Sequence, residues 1–226
     1  MVEFTRESSS LAHLARDMQN AVRPRSMRRP EAIVVAASTG GPQALATLFS
    51  ELGKMISSVP VYVVLHMPEH FTDVVTAQIE RMSGCVTRAP KDGEVAKCGH
   101  IYFAPGSRHL ALVQAGPSVS MRLDAGPAIN FCRPSADKLF SSAAEVYGRS
   151  LIGIVLSGMG SDGCIGAAKI VETGGVVVAQ DKETSAVWGM PAAVVEAGLA
   201  SHVLPIDWIA GHVGRLLKGE SAGVAA

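Results

Sequence analysis

Three short apolar runs limit what this chain can fold into: AIVVAA at 32–37, VYVVL at 61–65 and LIGIVL at 151–156. The runs are dominated by apolar residues, many of them β-branched, without the polar alternation of a half-exposed strand. This is typical of strands buried on both faces of a parallel sheet. Helical spacing of apolar residues follows the first two runs, at 42–52 and 71–82. The alternation predicts an α/β fold: a doubly wound, mostly parallel sheet with helices on both faces.

The middle of the chain has a different pattern. Short runs with a partly alternating pattern, at 99–106, 109–114 and 118–123, predict a small antiparallel edge to the sheet. The remaining periodic segments predict a strand at 174–181 and helices at 133–148, 164–172, 190–198 and 206–219.

The pattern of strands and helices is continuous over residues 31–219, which we expect to form a single domain. Residues 1–30 differ, because they end in RPRSMRRP, whose arginines and prolines suit neither a helix nor a strand. We interpret 1–30 as a linker or a leader. The last residues, 220–226, are expected to be a frayed tail.

Composition excludes several classes of protein. The chain has 226 residues, with 20 Lys+Arg against 20 Asp+Glu, so nothing in the overall charge favours nucleic acid. No apolar run approaches the roughly 18 residues of a membrane-spanning helix. The first residues include Glu3 and lack the apolar region of a signal peptide. We therefore expect a cytoplasmic protein without membrane insertion.

Cysteine usage agrees with that expectation. The four cysteines form no CxxC pair, and their spacings resemble no zinc site, so we expect reduced thiols and no metal. They are Cys85, Cys98, Cys132 and Cys164.

Three polar residues follow the three buried runs. Ser38 comes directly after 32–37, His66 directly after 61–65, and Asp162 lies in SGMGSDG after the third run. The carboxyl ends of parallel strands meet at one edge of a sheet, where sites form. A hydroxyl, an imidazole and a carboxylate brought together there are the parts of a serine hydrolase triad. The backbone N–H groups of the glycine-rich loops would suit an oxyanion.

Each of these residues also has a simpler interpretation. Ser38 could be a turn residue or a helix cap, His66 could be satisfied by its neighbours, and Asp162 could only cap the next helix. Asp181 follows another strand and is a rival for the carboxylate. His109, in PGSRHL, is either a binding residue at the rim or, more simply, a turn histidine.

Two other functions compete with hydrolysis. A strand, a glycine-rich loop and a helix are the general plan of a nucleotide- or phosphate-binding module, although STGGPQ matches neither common phosphate-binding motif. A non-catalytic receptor-binding domain that keeps the fold is the second alternative.

Six blocks of sequence resemble one family. ASTGGPQAL, LHMPEHFT, IYFAPGSRHL, RPSADKLF, LSGMGSDG and VVVAQDKETS…GMP are similar, in order, to blocks of the catalytic domain of chemotaxis receptor methylesterases. The resemblance covers about residues 31–205. It implies a cytoplasmic α/β enzyme, without a cofactor, that hydrolyses glutamyl methyl esters on the cytoplasmic helices of chemoreceptors. Family members often also deamidate receptor glutamines.

The resemblance assigns roles to five residues. It places the catalytic triad on Ser38, His66 and Asp162, and it places Thr39 and Met159 in the lining of the site, with the Met159 N–H as an oxyanion donor. Many family members carry an N-terminal receiver domain. Thirty residues cannot hold one, so a receiver domain is expected in cis beyond this sequence, in trans, or not at all.

Overall fold

A parallel sheet forms the centre of the molecule. The computed structural model describes residues 28–220, and its seven-stranded sheet has the order β3-β4-β2-β1-β7-β8-β9. Every neighbouring pair in this sheet is parallel. The strands are β1 (Ala32–Ala37), β2 (Val61–Leu65), β3 (Val86–Arg88), β4 (His100–Phe103), β7 (Leu151–Val155), β8 (Val176–Gln180) and β9 (His202–Leu204).

Helices cover both faces of this sheet. Alternate residues of β1 point to opposite faces, so Ile33 packs in one buried cluster with α1, α2 and α6, and Val34 packs in another with α3, α4 and α5. The doubly wound α/β fold is therefore confirmed. The helices are α1 (Gly41–Leu52), α2 (Glu69–Ser83), α3 (Ala136–Tyr147), α4 (Cys164–Glu172), α5 (Met190–Glu196) and α6 (Ile206–Leu217).

The middle of the chain departs in part from the expected edge. β5 (His109–Ala115) and β6 (Ser118–Asp124) do pair in an antiparallel manner, but as a separate two-stranded sheet. The expectation of an antiparallel strand within 99–106 was wrong, because β4 lies inside the main sheet, parallel to β2 and β3. The physical reason is burial: Ile101, Tyr102 and Phe103 are all buried, so β4 needs cover on both faces.

The chain winds in opposite directions on the two sides of β1. β2 lies on one side of β1 and β7 on the other, so the chain reverses its winding here. In open α/β sheets, sites form at the carboxyl ends of strands flanking such a reversal. The carboxyl ends of β1, β2 and β7 are therefore where a site is expected.

Two predictions from composition concern the described residues only in part. None of the helices between residues 28 and 220 has the length and apolarity needed to cross a bilayer. All four cysteines are free thiols. The predicted leader and frayed tail, 1–30 and 220–226, lie almost wholly outside the described residues.

Candidate active site

Ser38 lies between the ends of two neighbouring strands. It follows β1, and its N–H donates to the carbonyl of Ser157, after β7, at 3.0 Å. Gly40 then takes a left-handed conformation, with φ at 77°, and α1 begins at the next residue. A Cβ at Gly158 would lie 2.7 Å from the Cβ of Ser38 and 2.4 Å from the Sδ of Met190. Only glycine at position 158 leaves room for Ser38 in this place.

His66 lies beside Ser38 in the strand register. Ala37 pairs with Leu65, and the backbone N–H of His66 donates to the carbonyl of Ala37 at 3.0 Å. The Nε2 of His66 lies 2.8 Å from Oδ2 of Asp162. The imidazole is 14% exposed and the carboxylate 2% exposed, so water screens this contact little.

The carboxylate of Asp162 lies at the N-terminus of α3. Its Oδ1 accepts hydrogen bonds from the Oγ of Ser135 at 2.7 Å and the N–H of Asp137 at 3.1 Å, and its Oδ2 accepts from the N–H of Ala136 at 2.7 Å. Burial alone would raise the pKa of Asp162. The hydrogen bonds from His66, Ser135 and the helix amides outweigh burial and hold this pKa below its usual value. Asp162 is therefore an anion matched to the imidazole.

A second buried carboxylate, Asp137, holds the loop that carries Asp162. Its Oδ1 accepts hydrogen bonds from the N–H groups of Gly163 and Gly166, each at 2.9 Å, at the start of α4. Its Oδ2 accepts from the side-chain amide of Asn130 at 3.0 Å. Burial first, and the neighbouring Asp162 as well, raise the pKa of Asp137. The N-termini of α3 and α4 are thus tied together by two carboxylates.

His109 supports the same helix N-terminus. It is buried at the start of β5, where its Nδ1 accepts the N–H of Ser135 at 3.1 Å and its Nε2 donates to the carbonyl of Pro127 at 3.0 Å. It is neither a rim residue nor a simple turn histidine. The rival carboxylate, Asp181, accepts hydrogen bonds from Thr184 instead. Asp162, and not Asp181, contacts His66.

The contact between Ser38 and His66 is not closed. Among residues 28–220, the Oγ of Ser38 forms no hydrogen bond, so only the His66–Asp162 half of the expected triad is joined. Because Nε2 of His66 faces Asp162, Nδ1 is the ring nitrogen left for a hydroxyl. Catalytic hydrogen bonds of this kind often tighten only when substrate binds.

The two predicted lining residues flank Ser38. Thr39 and Met159 are exposed, and their backbone N–H groups form no hydrogen bond within the described part of the chain. The hydroxyl of Ser157 holds their two loops together, because it donates to the carbonyl of Thr39 at 2.8 Å and accepts the N–H of Val187 at 3.0 Å. Two free amides beside a serine are what an oxyanion requires.

One thiol lies in the site that sequence patterns did not place there. The ligand atoms of His66, Cys132 and Asp162 all lie within 4.8 Å of one another. Ser135 and Asp137 were likewise missed as site residues. Their helix was predicted, but nothing local to RPSADKLF shows that its N-terminus meets the loop after β7.

Comparison with known proteins identifies relatives of most of the described region. The profile of the CheB methylesterase family matches residues 33–213. The protein-glutamate methylesterase/protein-glutamine glutaminase of group 2 operon from Bradyrhizobium diazoefficiens is 43% identical over 200 residues, which cover 88% of this chain and 50% of that protein. Protein-glutamate methylesterase/protein-glutamine glutaminase 2 of Caulobacter vibrioides is 46% identical over 184 residues, which cover 81% and 53%.

A solved structure shares the fold. The catalytic domain of the Thermotoga maritima CheB methylesterase superposes with a TM-score of 0.80 at 39% identity, covering 83% of this chain and 98% of that one. The chain spans about half the length of the curated relatives it matches.

Proposed function

This chain belongs to the CheB methylesterase family, and we propose that it hydrolyses glutamyl methyl esters on the cytoplasmic helices of chemoreceptors as a serine hydrolase. The observation that carries the proposal is the 2.8 Å contact between His66 and Asp162. His66 and Ser38 each lie one residue beyond the paired ends of β2 and β1. Because those receptor helices are cytoplasmic, we place the enzyme in the cytoplasm.

The proposed reaction is acyl transfer in two steps. The Oγ of Ser38 attacks the ester carbonyl while Nδ1 of His66 accepts its proton, and Asp162 stabilises the imidazolium that forms. The N–H groups of Thr39 and Met159 donate to the oxyanion. His66 then gives the proton to the departing methanol, and water activated by His66 releases the glutamate.

Deamidation of receptor glutamines would follow the same route, with ammonia as the leaving group. The two relatives compared above carry both activities in their names, which supports including this second reaction in the proposal.

Exposed apolar side chains beside the site are suited to a protein substrate. Phe131 is fully exposed next to Cys132, Met159 is exposed in the loop after β7, and Ile165 is exposed in the first turn of α4. A small-molecule site would more often be a concave pocket. We assign these side chains to contact with the receptor helix.

We propose that a receiver domain regulates the enzyme. Because the relatives are about twice as long as the matched region, a receiver domain acting in cis or in trans is a candidate partner.

A fluorophosphonate probe tests the proposal against the phosphate-binding module. We expect labelling of the native protein and no labelling of Ser38→Ala. The matched control, Ser58→Ala, changes a serine just before β2, at the amino ends of the strands, and should be labelled. His66→Ala should label far more slowly. Equal labelling of Ser38→Ala would refute the assignment of Ser38. An unlabelled native protein that nucleotides stabilise against heat would favour the phosphate-binding module instead.

A further inference from the structure

A thiol lies beside the His66–Asp162 pair and has no part in the proposed reaction. Cys132 is half-buried, and its backbone N–H and carbonyl both pair with Ile129, at 2.8 and 3.0 Å. This turn fixes the position of Cys132, whose Sγ lies within 4.8 Å of the ligand atoms of His66 and Asp162. A sulfur, a nitrogen and an oxygen therefore converge from three separate segments of the chain.

We propose that His66, Cys132 and Asp162 form a binding site for Zn²⁺ that inhibits the enzyme reversibly. Zinc accepts a thiolate, an imidazole and a carboxylate together, in tetrahedral geometry with a fourth position for water. A thiolate and a carboxylate also neutralise the charge of the divalent ion. The inhibitory consequence rests on the proposed function, whereas the binding site itself does not.

The site needs only a small movement to accept the ion. Zinc bonds of about 2.0–2.3 Å place tetrahedral ligand atoms roughly 3.3–3.7 Å apart. The contact between His66 and Asp162, at 2.8 Å, must therefore widen by about half an ångström. Asp162 is held by three donors at the N-terminus of α3, so the imidazole moves away from the carboxylate. The Sγ of Cys132, which lies within 4.8 Å of the other two ligand atoms, moves toward them by up to about 1 Å.

Zinc binding displaces two protons. Zinc binds Nε2 of His66 in place of the hydrogen that now faces Asp162, and the imidazole stays neutral with its hydrogen on Nδ1. The thiol of Cys132 loses its proton to solvent. Nδ1, which faces the hydroxyl of Ser38 in the proposed reaction, then carries a proton and cannot accept another. Attack by Ser38 is thereby blocked for as long as the ion stays bound.

Cobalt titration of an inactive variant tests the binding site without any assay of hydrolysis. Co²⁺ bound to a thiolate gives a charge-transfer absorption in the near ultraviolet. We expect this band to appear in Ser38→Ala, with one Co²⁺ per chain and displacement by Zn²⁺. Adding Cys132→Ser should abolish the band, whereas adding Cys98→Ser, which changes an exposed thiol at the other edge of the sheet, should leave it.

Inhibition is the second readout. Zn²⁺ should inhibit ester hydrolysis by the native enzyme and by Cys98→Ser, a chelator should restore activity, and Cys132→Ser should need far more Zn²⁺. A missing cobalt band in Ser38→Ala, or an unchanged band after Cys132→Ser, would overturn the zinc site whatever the enzyme's activity. A cobalt band in a protein without esterase activity would overturn the proposed function alone.

Discussion

Ser135 directly precedes α3 and links this helix to the carboxylate of Asp162. Its Oγ donates to Oδ1 of Asp162 at 2.7 Å, and both residues are buried. A hydrogen bond to a charged group contributes about 1.5–3 kcal/mol. Within the described residues Ser135 forms no hydrogen bond with His66 or Ser38, so we regard it as a positioning residue.

Ser135→Ala should lower kcat for ester hydrolysis by roughly tenfold or more, because the carboxylate loses one of its donors and the imidazole its fixed partner. KM should change little. Steady-state kinetics on methylated receptor, with Ser135→Thr to restore the hydroxyl, measure the effect. An unchanged kcat, or no rescue by threonine, would contradict the positioning role.

His212 makes stability depend on pH. It is buried in α6, its Nε2 has no hydrogen-bond partner among the residues that the structure describes, and burial, then the neighbouring His202 and Arg215, lower its pKa to about 4. The unfolded chain, with a pKa near 6.5, binds the proton more readily. The contribution of His212 to stability is therefore complete above about pH 6.5 and falls as the pH drops toward 4.

Replacing His212 should flatten that dependence. His212→Phe keeps a planar ring without a titrating group, so its stability should fall less than that of the native protein between pH 6.5 and 4. Urea denaturation at a series of pH values measures both. Parallel curves for the two proteins would show that another group causes the loss.

Sequence patterns pointed to the candidate residues that directly follow strands, but not to those that reach the same place from another segment of the chain. Ser38 and His66 could be placed because a strand end fixes its own next residue. Cys132, Ser135 and Asp137 could not, because their positions depend on how α3 packs across the sheet.

The position of the loop after β7 depends on Gly158, because this residue has no side chain. A Cβ at position 158 would meet both Ser38 and Met190. Gly158→Ala should therefore displace the loop and lower ester turnover strongly. Gly211→Ala is the matched control, because outside the helix itself no atom of residues 28–220 lies within 4 Å of its Cβ position in α6. This variant should retain activity and gain up to about 1 kcal/mol in stability. Full turnover by Gly158→Ala would show that the close approach is not required.

The turn before α3 presents an aromatic ring to solvent. Phe131 has φ at 63°, unusual for a non-glycine residue, and is fully exposed. Phe131→Ala should raise KM for methylated receptor several-fold, because a buried aromatic contact contributes about 1–3 kcal/mol to binding. Hydrolysis of a small soluble ester should not change. Equal effects on both substrates would place Phe131 in the catalytic machinery instead of the docking surface.

Helices and strands could be predicted where they are long enough to show a repeating pattern of apolar residues. The helices and the buried strands β1, β2 and β7 have clear patterns, whereas β3 and β9 have three residues each, too few for a period to register. The orientation of β4 could not be predicted, because its pattern resembles that of its antiparallel successors and only its burial in the full sheet distinguishes it.

Replacing Ser38 should change the activity of the molecule without changing its stability. Ser38 is a half-buried residue whose backbone, not its Oγ, makes the contacts that hold the loop. Ser38→Ala should thus leave the melting temperature within a few degrees of the native value while abolishing ester hydrolysis. Calorimetry beside a methanol-release assay measures both. A variant that melts much earlier would mean that the hydroxyl has a structural role.

The central position of β1 has a consequence for synthesis on the ribosome. Of the strands between residues 28 and 220, the one that leads to Ser38 emerges first, but β7, its partner on one side, is translated only after β2 to β6, and Asp162 later still. A nascent chain that ends before Asp162 has a serine and a histidine without the anion that orients them. The proposed hydrolytic activity would therefore arise late in translation, when the two halves of the sheet have joined.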